Sequence, residues 1–567
     1  MSKIRWILLV FVMLVTFAGG RPAAQKPYTI MVYMNGSDLE SEFGAATADL
    51  VEMLDSGLDS RVANVLILTG GAKRWMNEAI PEYECLIWEL ADGQLNEIEN
   101  MGLVNMGNPD TLAKFISFCQ SRYPAEKYGL IMWDHGGGSI AGFGHDEKFD
   151  DASLTLLDMA AAFEAAGLRE NKLEFLGFDA CLMATVEMAI IAADYANVLI
   201  ASEDLEPGDG WDYVFLGALN HNPSMDGHQL GRVIVDTFMD FYGEDSDEIL
   251  TLSVVELSKV QAVMEAMGAL MARASTRLEV MHNGFVDLSA RRSKTKTFGE
   301  GSPRDNYADM VDIGDMAIQL QQIFPAEVTA VLTALESCVS YNRHNSDTAL
   351  WGLSTFYIYG GKSLGVPSLA AYSGLGMDEN FTEYLHVFFE FLTGRRSGHG
   401  GITRSELALW QPTGGNSYRL AGLLQTSPHW QPIGDLLWPT LGGHNIALYP
   451  IAKTANARMY AIPAVVNGRD ADIIVSFTGC HPAGQIKGIR YQTGGVIQKG
   501  HDPIDPGDEI ALYFLERNFA TGREEWAEGE VFAAALPLEL DWQLAPVGSK
   551  MGSRGRDVCC DDVYVVG

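Results

Sequence analysis

The chain has few cationic side chains for its length. Its 567 residues include 39 Lys and Arg against 74 Asp and Glu, so the formal net charge is −35. A protein this negative repels a phosphate backbone, which excludes non-specific nucleic-acid binding. The charge is compatible both with simple solubility and with a field that attracts cationic ligands, and by itself it does not choose between them.

Cysteine is also scarce, and several cofactor motifs are missing. No C-x-x-C pair, Walker A motif or H-E-x-x-H motif is present. These absences leave no support for a zinc ribbon, a thioredoxin-like site, a nucleotide site or a zinc protease. Seven cysteines in so long a chain do not make a disulfide scaffold, and an odd number leaves at least one thiol over. They are Cys85, Cys119, Cys181, Cys338, Cys480, Cys559 and Cys560.

Long apolar runs are missing apart from one short run near the N-terminus. Lys3 and Arg5 precede apolar residues 6–17, and small residues follow at 18–20. This order is that of a secretory signal, and the apolar core is shorter than the about 20 residues that a membrane-spanning helix needs. We therefore expect a signal peptide at residues 1–20, a secreted or periplasmic bacterial protein, and no membrane span in the mature form. An uncleaved anchor is the alternative.

The remaining sequence has a globular composition, with 47% hydrophobic and 20% charged residues, and its length predicts two or three domains. Apolar runs alternate with helical periodicity, which predicts an α/β fold with a mostly parallel sheet flanked by helices. The predicted strands are residues 29–34, 65–68, 128–133, 173–178 and 198–202. The predicted helices are residues 40–54, 111–123, 154–166 and 184–195, and residues 83–90 begin a hairpin.

The pattern divides the chain into four parts after the signal. Residues 26–225 form the α/β core of a domain that extends over residues 26–395. Residues 226–395 are a mainly helical subdomain, in which apolar runs at 249–255 and 353–359 are expected to return and extend the sheet. Residues 396–405 read as a Gly-rich linker. Residues 406–567 consist of short alternating apolar runs between turn residues, which predicts a C-terminal all-β domain.

Two predicted strands are followed by residues that can take part in catalysis. His135 follows residues 128–133 and precedes three glycines, so a general base lies beside unshielded backbone N–H groups. Cys181 follows residues 173–178, and a helix is expected directly after it, whose dipole would favour a thiolate. If the two strands are neighbours, Cys181 is a nucleophile with a base in reach. The alternatives are a buried cysteine of purely structural role and a histidine in a turn.

Three motifs identify a family resemblance. Tyr-Thr-Ile-Met-Val-Tyr-Met at residues 28–34, Trp-Asp-His-Gly-Gly-Gly at 133–138 and Phe-Asp-Ala-Cys-Leu-Met at 178–183 resemble the clostripain family of cysteine peptidases. Further matches over about residues 26–395 keep the family's order. The resemblance implies a caspase-like fold and a cysteine endopeptidase, and clostripain itself cleaves after Arg or Lys.

Carried over by position, the resemblance assigns His135 as general base and Cys181 as nucleophile. The N–H groups of Gly136 and Cys181 would form the oxyanion hole, and Asp179 and Asp209 would hold a basic P1 side chain. A guanidinium in a partly desolvated pocket needs such a carboxylate partner. The alternatives are a helix N-cap for Asp179 and an ordinary turn residue for Asp209.

Some relatives activate themselves by cutting between the histidine and cysteine motifs. Lys148 is the only Lys or Arg between His135 and Arg169, so we expect any such processing there. The basic loop at residues 291–296 is a second candidate for self-cleavage. The acidic residues around Lys148 are an ordinary solvated loop or a weak Ca²⁺ site, although they lack EF-hand spacing. We expect no required cofactor and no metal among the catalytic residues.

Two rival functions remain. A lipase or esterase could use the Gly-Gly-Gly run and the G-x-S-x-G match at residues 361–365, but Pro367 interrupts the helix that a nucleophile elbow requires. A non-catalytic protein with a degenerate peptidase fold would bind basic peptides without cutting them. The presence of both His135 and Cys181 favours the peptidase, whose partners are peptides or proteins with a basic P1 residue. The sequence gives no oligomeric state.

Overall fold

The computed structural model describes residues 25–553 and 564–565. The gaps within this range are residues 244–245, 247–248, 281–283, 300–307, 360–364, 393–405, 415–416, 426–436, 454–456, 479–483, 494–495, 498–499, 519–523, 535–537, 539 and 545–549. The predicted signal at residues 1–20, the predicted linker at 396–405 and the cysteines at 480, 559 and 560 lie outside the described residues.

Among the described residues, fourteen strands belong to the N-terminal part of the chain. They are β1 (Lys26–Asn35), β2 (Ala63–Gly70), β3 (Cys85–Ala91), β4 (Gln94–Gly102), β5 (Ala125–Trp133), β6 (Phe143–Asp146), β7 (Ala152–Leu154), β8 (Leu173–Asp179), β9 (Ala196–Ala201), β10 (Thr251–Glu256), β11 (Thr297–Phe298), β12 (Met310–Asp312), β13 (Val339–His344) and β14 (Ser354–Phe356).

Nine of these strands form the central sheet, in the order β13-β10-β9-β8-β5-β1-β2-β3-β4. The five strands from β9 to β2 are parallel, and the two outer strands on each side are antiparallel. The buried, apolar character of β1, β2, β5 and β8 fits a sheet covered on both faces. The predicted α/β fold with a sheet flanked by helices is confirmed.

Thirteen α-helices accompany these strands in the part of the chain that the structure describes. They are α1 (Ser37–Ser41), α2 (Ala45–Asp55), α3 (Pro109–Arg122), α4 (Gly138–Ala141), α5 (Leu156–Ala165), α6 (Val186–Ala192), α7 (Gly227–Tyr242), α8 (Val260–Val280), α9 (Gly284–Arg292), α10 (Ile313–Leu320), α11 (Pro325–Cys338), α12 (Gly365–Gly374) and α13 (Glu379–Leu392).

The helices bury the two faces of the sheet in separate apolar clusters. Alternate residues of β1 point to opposite faces, so Met31 and Tyr33 join one cluster while Ile30 and Val32 join the other. The first cluster includes the apolar faces of α3, α5, α6, α8 and α13, and the second those of α2 and α7. This packing fixes the strand ends, and with them the loops that leave the carboxyl edge of the parallel strands.

Two predicted elements differ from the structure. The helix expected at residues 40–54 is two helices, because the chain turns at Gly44 with a left-handed φ of 69°. The run at 249–255 does extend the central sheet as β10, but the run at 353–359 does not. It forms β14 in a separate three-stranded sheet with β11 and β12. Strand partners depend on tertiary contacts, which a local apolar pattern does not specify.

The C-terminal region is built of strands throughout its described residues. They are β15 (Glu406–Gly414), β16 (Ser417–Gln425), β17 (Leu437–Leu441), β18 (His444–Asn445), β19 (Tyr449–Lys453), β20 (Ala457–Val466), β21 (Arg469–Thr478), β22 (Gln485–Thr493), β23 (Val496–Ile497), β24 (Glu509–Asn518), β25 (Glu524–Ala533), β26 (Leu540–Leu544), β27 (Lys550–Ser553) and β28 (Tyr564–Val565). Most join one antiparallel sheet, so the predicted all-β domain is confirmed.

Within the described residues, no helix has the length and apolar character needed to cross a membrane.

Candidate active site

The two predicted catalytic residues lie at the carboxyl ends of adjacent strands. β5 and β8 are parallel neighbours, and Trp133 at the end of β5 faces Asp179 at the end of β8. His135 and Cys181 each follow two residues later, so both leave the same edge of the sheet side by side. The expectation that these strands are neighbours is confirmed.

The backbone at Gly136 closely approaches the backbone at Cys181. A Cβ atom at position 136 would lie 1.8 Å from the carbonyl oxygen of Cys181, a distance that no side chain tolerates. Glycine is therefore required here for the histidine and cysteine loops to touch. The arrangement keeps backbone N–H groups next to the nucleophile, and their role in an oxyanion hole stays a prediction.

The imidazole of His135 is held by a carboxylate that the sequence analysis missed. Its Nε2 lies 2.7 Å from Oδ1 of Asp38, and both side chains are buried. His145 Nε2 lies 3.4 Å from the same oxygen, and the two imidazole rings stack with centroids 5.1 Å apart. Asp38 thus bridges two histidines and fixes the orientation of His135.

Asp134 accepts hydrogen bonds from several segments around His135. Its carboxylate accepts hydrogen bonds from the Asn35 side chain at 2.5 Å and the Ser37 hydroxyl at 2.7 Å. It also accepts the backbone N–H groups of His135 and His145. Because Asn35 ends β1 and Ser37 follows it, Asp134 joins the end of that strand to the histidine loop and places Asp38 beside His135.

Burial and neighbouring charges shift the pKa values of Asp38 and His145. Burial would raise the pKa of the Asp38 carboxyl, but the charge and hydrogen bond of His135, and then His145, hold it well below its usual range. Burial would lower the pKa of His145, but contact with Asp38 and the charges of Asp134 and Asp38 raise it to about 9. At neutral pH His145 is therefore an imidazolium that neutralises the buried carboxylates.

We expect the free energy of unfolding to fall at alkaline pH because of His145. Its pKa rises from 6.5 to about 9 on folding, so its stabilising contribution is complete below pH 6.5 and is lost as the pH rises through 9. The loss amounts to about 3 kcal/mol. Urea unfolding at pH 6 and pH 9 should show this fall in the wild type and a smaller fall in His145→Gln. The exposed His221→Gln variant should behave like the wild type, and equal falls in all three proteins would contradict the assignment.

Asp38, His135 and His145 also have the spacing of a metal site, since one ligand atom from each lies within 4.8 Å of the others. Asp38 Oδ1 already contacts Nε2 of both histidines, so we assign the three residues to orienting the His135 ring. In the acidic loop, Asp146 accepts the backbone N–H groups of Met106 and Lys148. Glu147 pairs with Lys73 at 2.9 Å. Calcium binding at this loop stays a prediction.

The thiol of Cys181 is buried in a turn. The side chain is 0% exposed, and the backbone N–H of Glu206 donates to Sγ at 3.2 Å. Leu182 has a left-handed φ of 64°, and α6 begins only at Val186 with Thr185 as its N-cap. The expected position of Cys181 at a helix N-terminus is therefore wrong, and so is the alternative of Asp179 as N-cap. The Glu206 N–H group is a hydrogen-bond donor to the sulfur in this turn.

Asp179 is buried beside the loop that carries Asp209. Its carboxylate accepts the Tyr213 hydroxyl at 3.0 Å and the Trp211 N–H at 3.4 Å. A Cβ at Gly210 would lie 2.7 Å from the Asp179 carboxylate. The structure thus brings the two predicted P1-binding positions to one place, since Gly210 directly follows Asp209.

Further acidic side chains surround this place. Asp209 is exposed, whereas Glu206 is buried and was missed because it follows no recognisable motif. The Tyr242 hydroxyl donates to the Gly210 carbonyl at 3.0 Å. Burial, followed by the charges of Asp209, Asp179 and Glu206, raises the pKa of Tyr242. The concentration of negative charge at a partly buried surface suits a cationic ligand.

Lys148 lies in the turn between β6 and β7 and is half-buried. Its ammonium group donates to the carbonyl of Glu82, and burial lowers its pKa. Cleavage after Lys148 would first require this contact to break. In the second predicted loop, Arg292 is buried and donates to the carbonyl of Tyr357 at 2.6 Å, which argues against cleavage there in the folded chain. Processing at Lys148 stays a prediction.

The chain is similar to known proteins of one family. The family model described as the clostripain family matches residues 32–360. Clostripain from Hathewaya histolytica is 26% identical, over 44% of this chain and 56% of that protein. The chain thus spans about half the length of this curated relative.

Solved structures of C11 proteases are similar at low identity. A secreted C11 cysteine protease from Bacteroides thetaiotaomicron, in complex with an irreversible peptide inhibitor, is 16% identical with a TM-score of 0.45, over 62% of this chain and 99% of that chain. An inactive zymogen C11 protease from Parabacteroides distasonis is 17% identical with a TM-score of 0.49, over 64% of this chain and 99% of that chain.

Proposed function

The chain belongs to the clostripain family, and on this premise we propose that it is a cysteine endopeptidase cutting after Arg or Lys. The observation that carries the proposal is the pair of adjacent strand ends that bring His135 and Cys181 together. The 2.7 Å contact of His135 with Asp38 adds support, because an oriented imidazole is what a nucleophile–base pair requires.

The proposed acylation begins with the Cys181 thiolate and a protonated His135. The sulfur attacks the scissile carbonyl carbon, and the carbonyl oxygen becomes an oxyanion. Backbone N–H groups of Gly136 and Cys181 are the proposed donors to it. When the C–N bond breaks, His135 gives its proton to the leaving amine. The products of this step are a thioester at Cys181 and a free amine.

The proposed deacylation uses the neutral His135. The imidazole takes a proton from water as the water oxygen attacks the thioester carbonyl. Collapse of this second tetrahedral intermediate releases the carboxylic acid and restores the thiolate and imidazolium. Asp38 acts as a positioning residue, because it holds the ring while the positive charge appears on it. The reaction as proposed needs no cofactor, and calcium addition or chelation tests that point.

Recognition of a basic P1 side chain is proposed for the acidic surface formed by Asp179, Glu206 and Asp209. A buried carboxylate such as Asp179 stabilises a guanidinium or ammonium group most strongly where water is excluded. Asp209, being exposed, would mainly attract the substrate. Preference between Arg and Lys depends on which of these oxygens the cation reaches.

The specificity is tested with Asp179→Asn and fluorogenic peptides ending in Arg, Lys, Asp or Leu. The wild type should cleave only the Arg and Lys peptides, and the variant should lose about 100-fold in kcat/KM on them, as expected for an unpaired buried cation. Asp92→Asn is the matched control, because it removes one charge from the β3–β4 turn, and it should change nothing. Equal activity of Asp179→Asn and wild type on Arg peptides would exclude Asp179 from the pocket.

Two further proposals accompany the activity. Export by the signal at residues 1–20 would deliver the enzyme to a secreted or periplasmic location, where peptides are its substrates. Self-processing would cut after Lys148, between the histidine and cysteine motifs. N-terminal sequencing of the fragments made by wild type, and by an inactive variant, tests both points.

A further inference from the structure

Among the described residues, the C-terminal domain contacts the N-terminal domain at Arg469, at Gly500 and at an apolar cluster. Arg469 pairs with the carboxylate of Glu42 at 2.9–3.0 Å and stacks over the ring of Tyr491 at 3.9 Å. Gly500 packs against Gly208, since a Cβ at position 500 would lie 3.1 Å from the Gly208 Cα. Ile249 packs against an apolar cluster of the β-domain formed by Ile451, Met459, Ala461 and Ile474.

All three places lie at the carboxyl edge of the parallel strands. Glu42 follows β1 and the short α1, and Gly208 follows β9. Ile249 precedes β10, whose first residues pair with the last residues of β9 because the two strands are antiparallel. This is the edge from which His135 and Cys181 project.

The contacts lie on both sides of the catalytic strands. In the sheet order β10-β9-β8-β5-β1, the strands β8 and β5 stand between β9 and β1. Adjacent strands are about 4.8 Å apart, so β1 and β9 are separated by about 14 Å. A domain anchored at both strands therefore extends across the ends of β8 and β5, which carry Cys181 and His135.

A chain of contacts links this domain to the nucleophile. Gly500 touches Gly208, and Glu206, two residues before Gly208, donates its N–H to the Cys181 sulfur. Cys181 is 0% exposed and His135 is 1% exposed. A peptide carbonyl cannot reach a sulfur in that position unless residues 205–208 move. The β-domain packs against Gly208 at the end of this segment and so disfavours movement of the segment away from the thiol.

The chemistry of the contact resembles that of the proposed substrate. The Arg469 guanidinium pairs with Glu42, which follows the short helix that carries Asp38. A cation of the same chain thus lies at the carboxyl edge beside Glu42, apart from the acidic surface of Asp179, Glu206 and Asp209. A bound peptide and the docked domain would compete for this edge.

We propose that the C-terminal β-domain is autoinhibitory: it docks on the carboxyl edge through Arg469, Gly500 and Ile249, and keeps Cys181 closed until it is displaced. The inhibition of turnover rests on the proposed peptidase function, whereas the burial of the thiol does not. Displacement would require loss of the ion pair and of the apolar contact. While it is docked, the domain slows proteolysis by the folded full-length chain.

The test is a charge swap in the full-length chain. Arg469→Glu and Glu42→Arg each place like charges in contact, and the double variant restores an opposite pair. The first readout is the rate at which iodoacetamide alkylates Cys181, measured by mass spectrometry of its peptide, which needs no peptidase activity. The second is kcat/KM on an Arg-ending fluorogenic peptide. Each single variant should raise both about tenfold, and the double variant should return toward wild type.

Two further variants keep the test decisive. Ile249→Asp breaks the apolar contact without touching the ion pair and should also raise the alkylation rate. Arg61→Glu is the matched control, because it breaks an ion pair with Asp59 before the start of β2, and it should change neither readout. Faster alkylation without cleavage of any peptide would support the docking and overturn the peptidase function. Unchanged alkylation in both Arg469→Glu and Ile249→Asp, or a fall in kcat/KM with unchanged alkylation, would overturn the autoinhibition.

Discussion

Replacing Cys181 by alanine should abolish peptide hydrolysis and leave peptide binding intact. The thiolate forms the covalent bond in the proposed mechanism, and none of the other described cysteines, Cys85, Cys119 and Cys338, lies directly after a strand of the parallel centre. Loss of a covalent nucleophile lowers kcat on the order of 10⁶-fold. The side chain is small and buried, so alanine should keep the fold. Turnover of an Arg-ending peptide and its binding to the same variant are the two measurements.

Cys119→Ala is the matched control for this experiment. Cys119 is a buried thiol in α3 that takes part in no disulfide. Its replacement by alanine therefore changes packing in the core and leaves the candidate active site unchanged. Full activity of Cys119→Ala beside an inactive Cys181→Ala identifies the nucleophile. If the wild type and both variants bind basic peptides and none cleaves them, the chain is the non-catalytic binding protein instead.

Asp38→Asn should lower kcat by about 10²–10⁴-fold with little change in KM. The amide cannot hold the imidazolium that the reaction needs, although it has nearly the same shape as the carboxylate. Asp38 touches His135 and not the acidic surface near Asp179, so substrate binding should persist. The rate of Cys181 alkylation should also move to higher pH, because the carboxylate no longer stabilises the thiolate–imidazolium pair.

Glu40→Gln separates this effect from a loss of local structure. Glu40 lies in the same short helix, is buried, and bonds to Thr47 and the Met76 N–H rather than to a histidine. This variant should keep kcat within about tenfold and show no change in the pH dependence of alkylation. A similar pH shift in Glu40→Gln would mean that Asp38 acts only through the structure of the loop.

Periodicity along the chain was enough to predict most of the core. Alternating apolar runs and helical faces gave β1, β2, β5, β8 and β9 close to their observed positions, because buried parallel strands leave a local signature. The weaker predictions concerned turns. Gly44 and Leu182 take left-handed conformations that shift helix boundaries, and such turns depend on contacts outside the local sequence.

His135 and Cys181 could be proposed from sequence because each follows a strand, beside residues that allow close approach. Asp38 and His145 could not, since an aspartate after Ser37 and a histidine in the short strand β6 carry no distinctive pattern. They meet His135 only because β1 lies next to β5, and the contact Asp134–Ser37 fixes the connecting loops. A search for acidic residues directly after each parallel strand would have been the available signal.

The sequence by itself determined the fold class, the two domains and the pair of strand ends that carry the chemistry. Those features depend on local apolar pattern and on residue types at fixed positions. Only the tertiary structure decided that Asp38 contacts His135, and that Arg469 of the β-domain contacts Glu42 at the carboxyl edge of the parallel strands. Each of these depends on residues far apart in the chain, such as Glu42 and Arg469, and their proximity follows from the packing of whole elements.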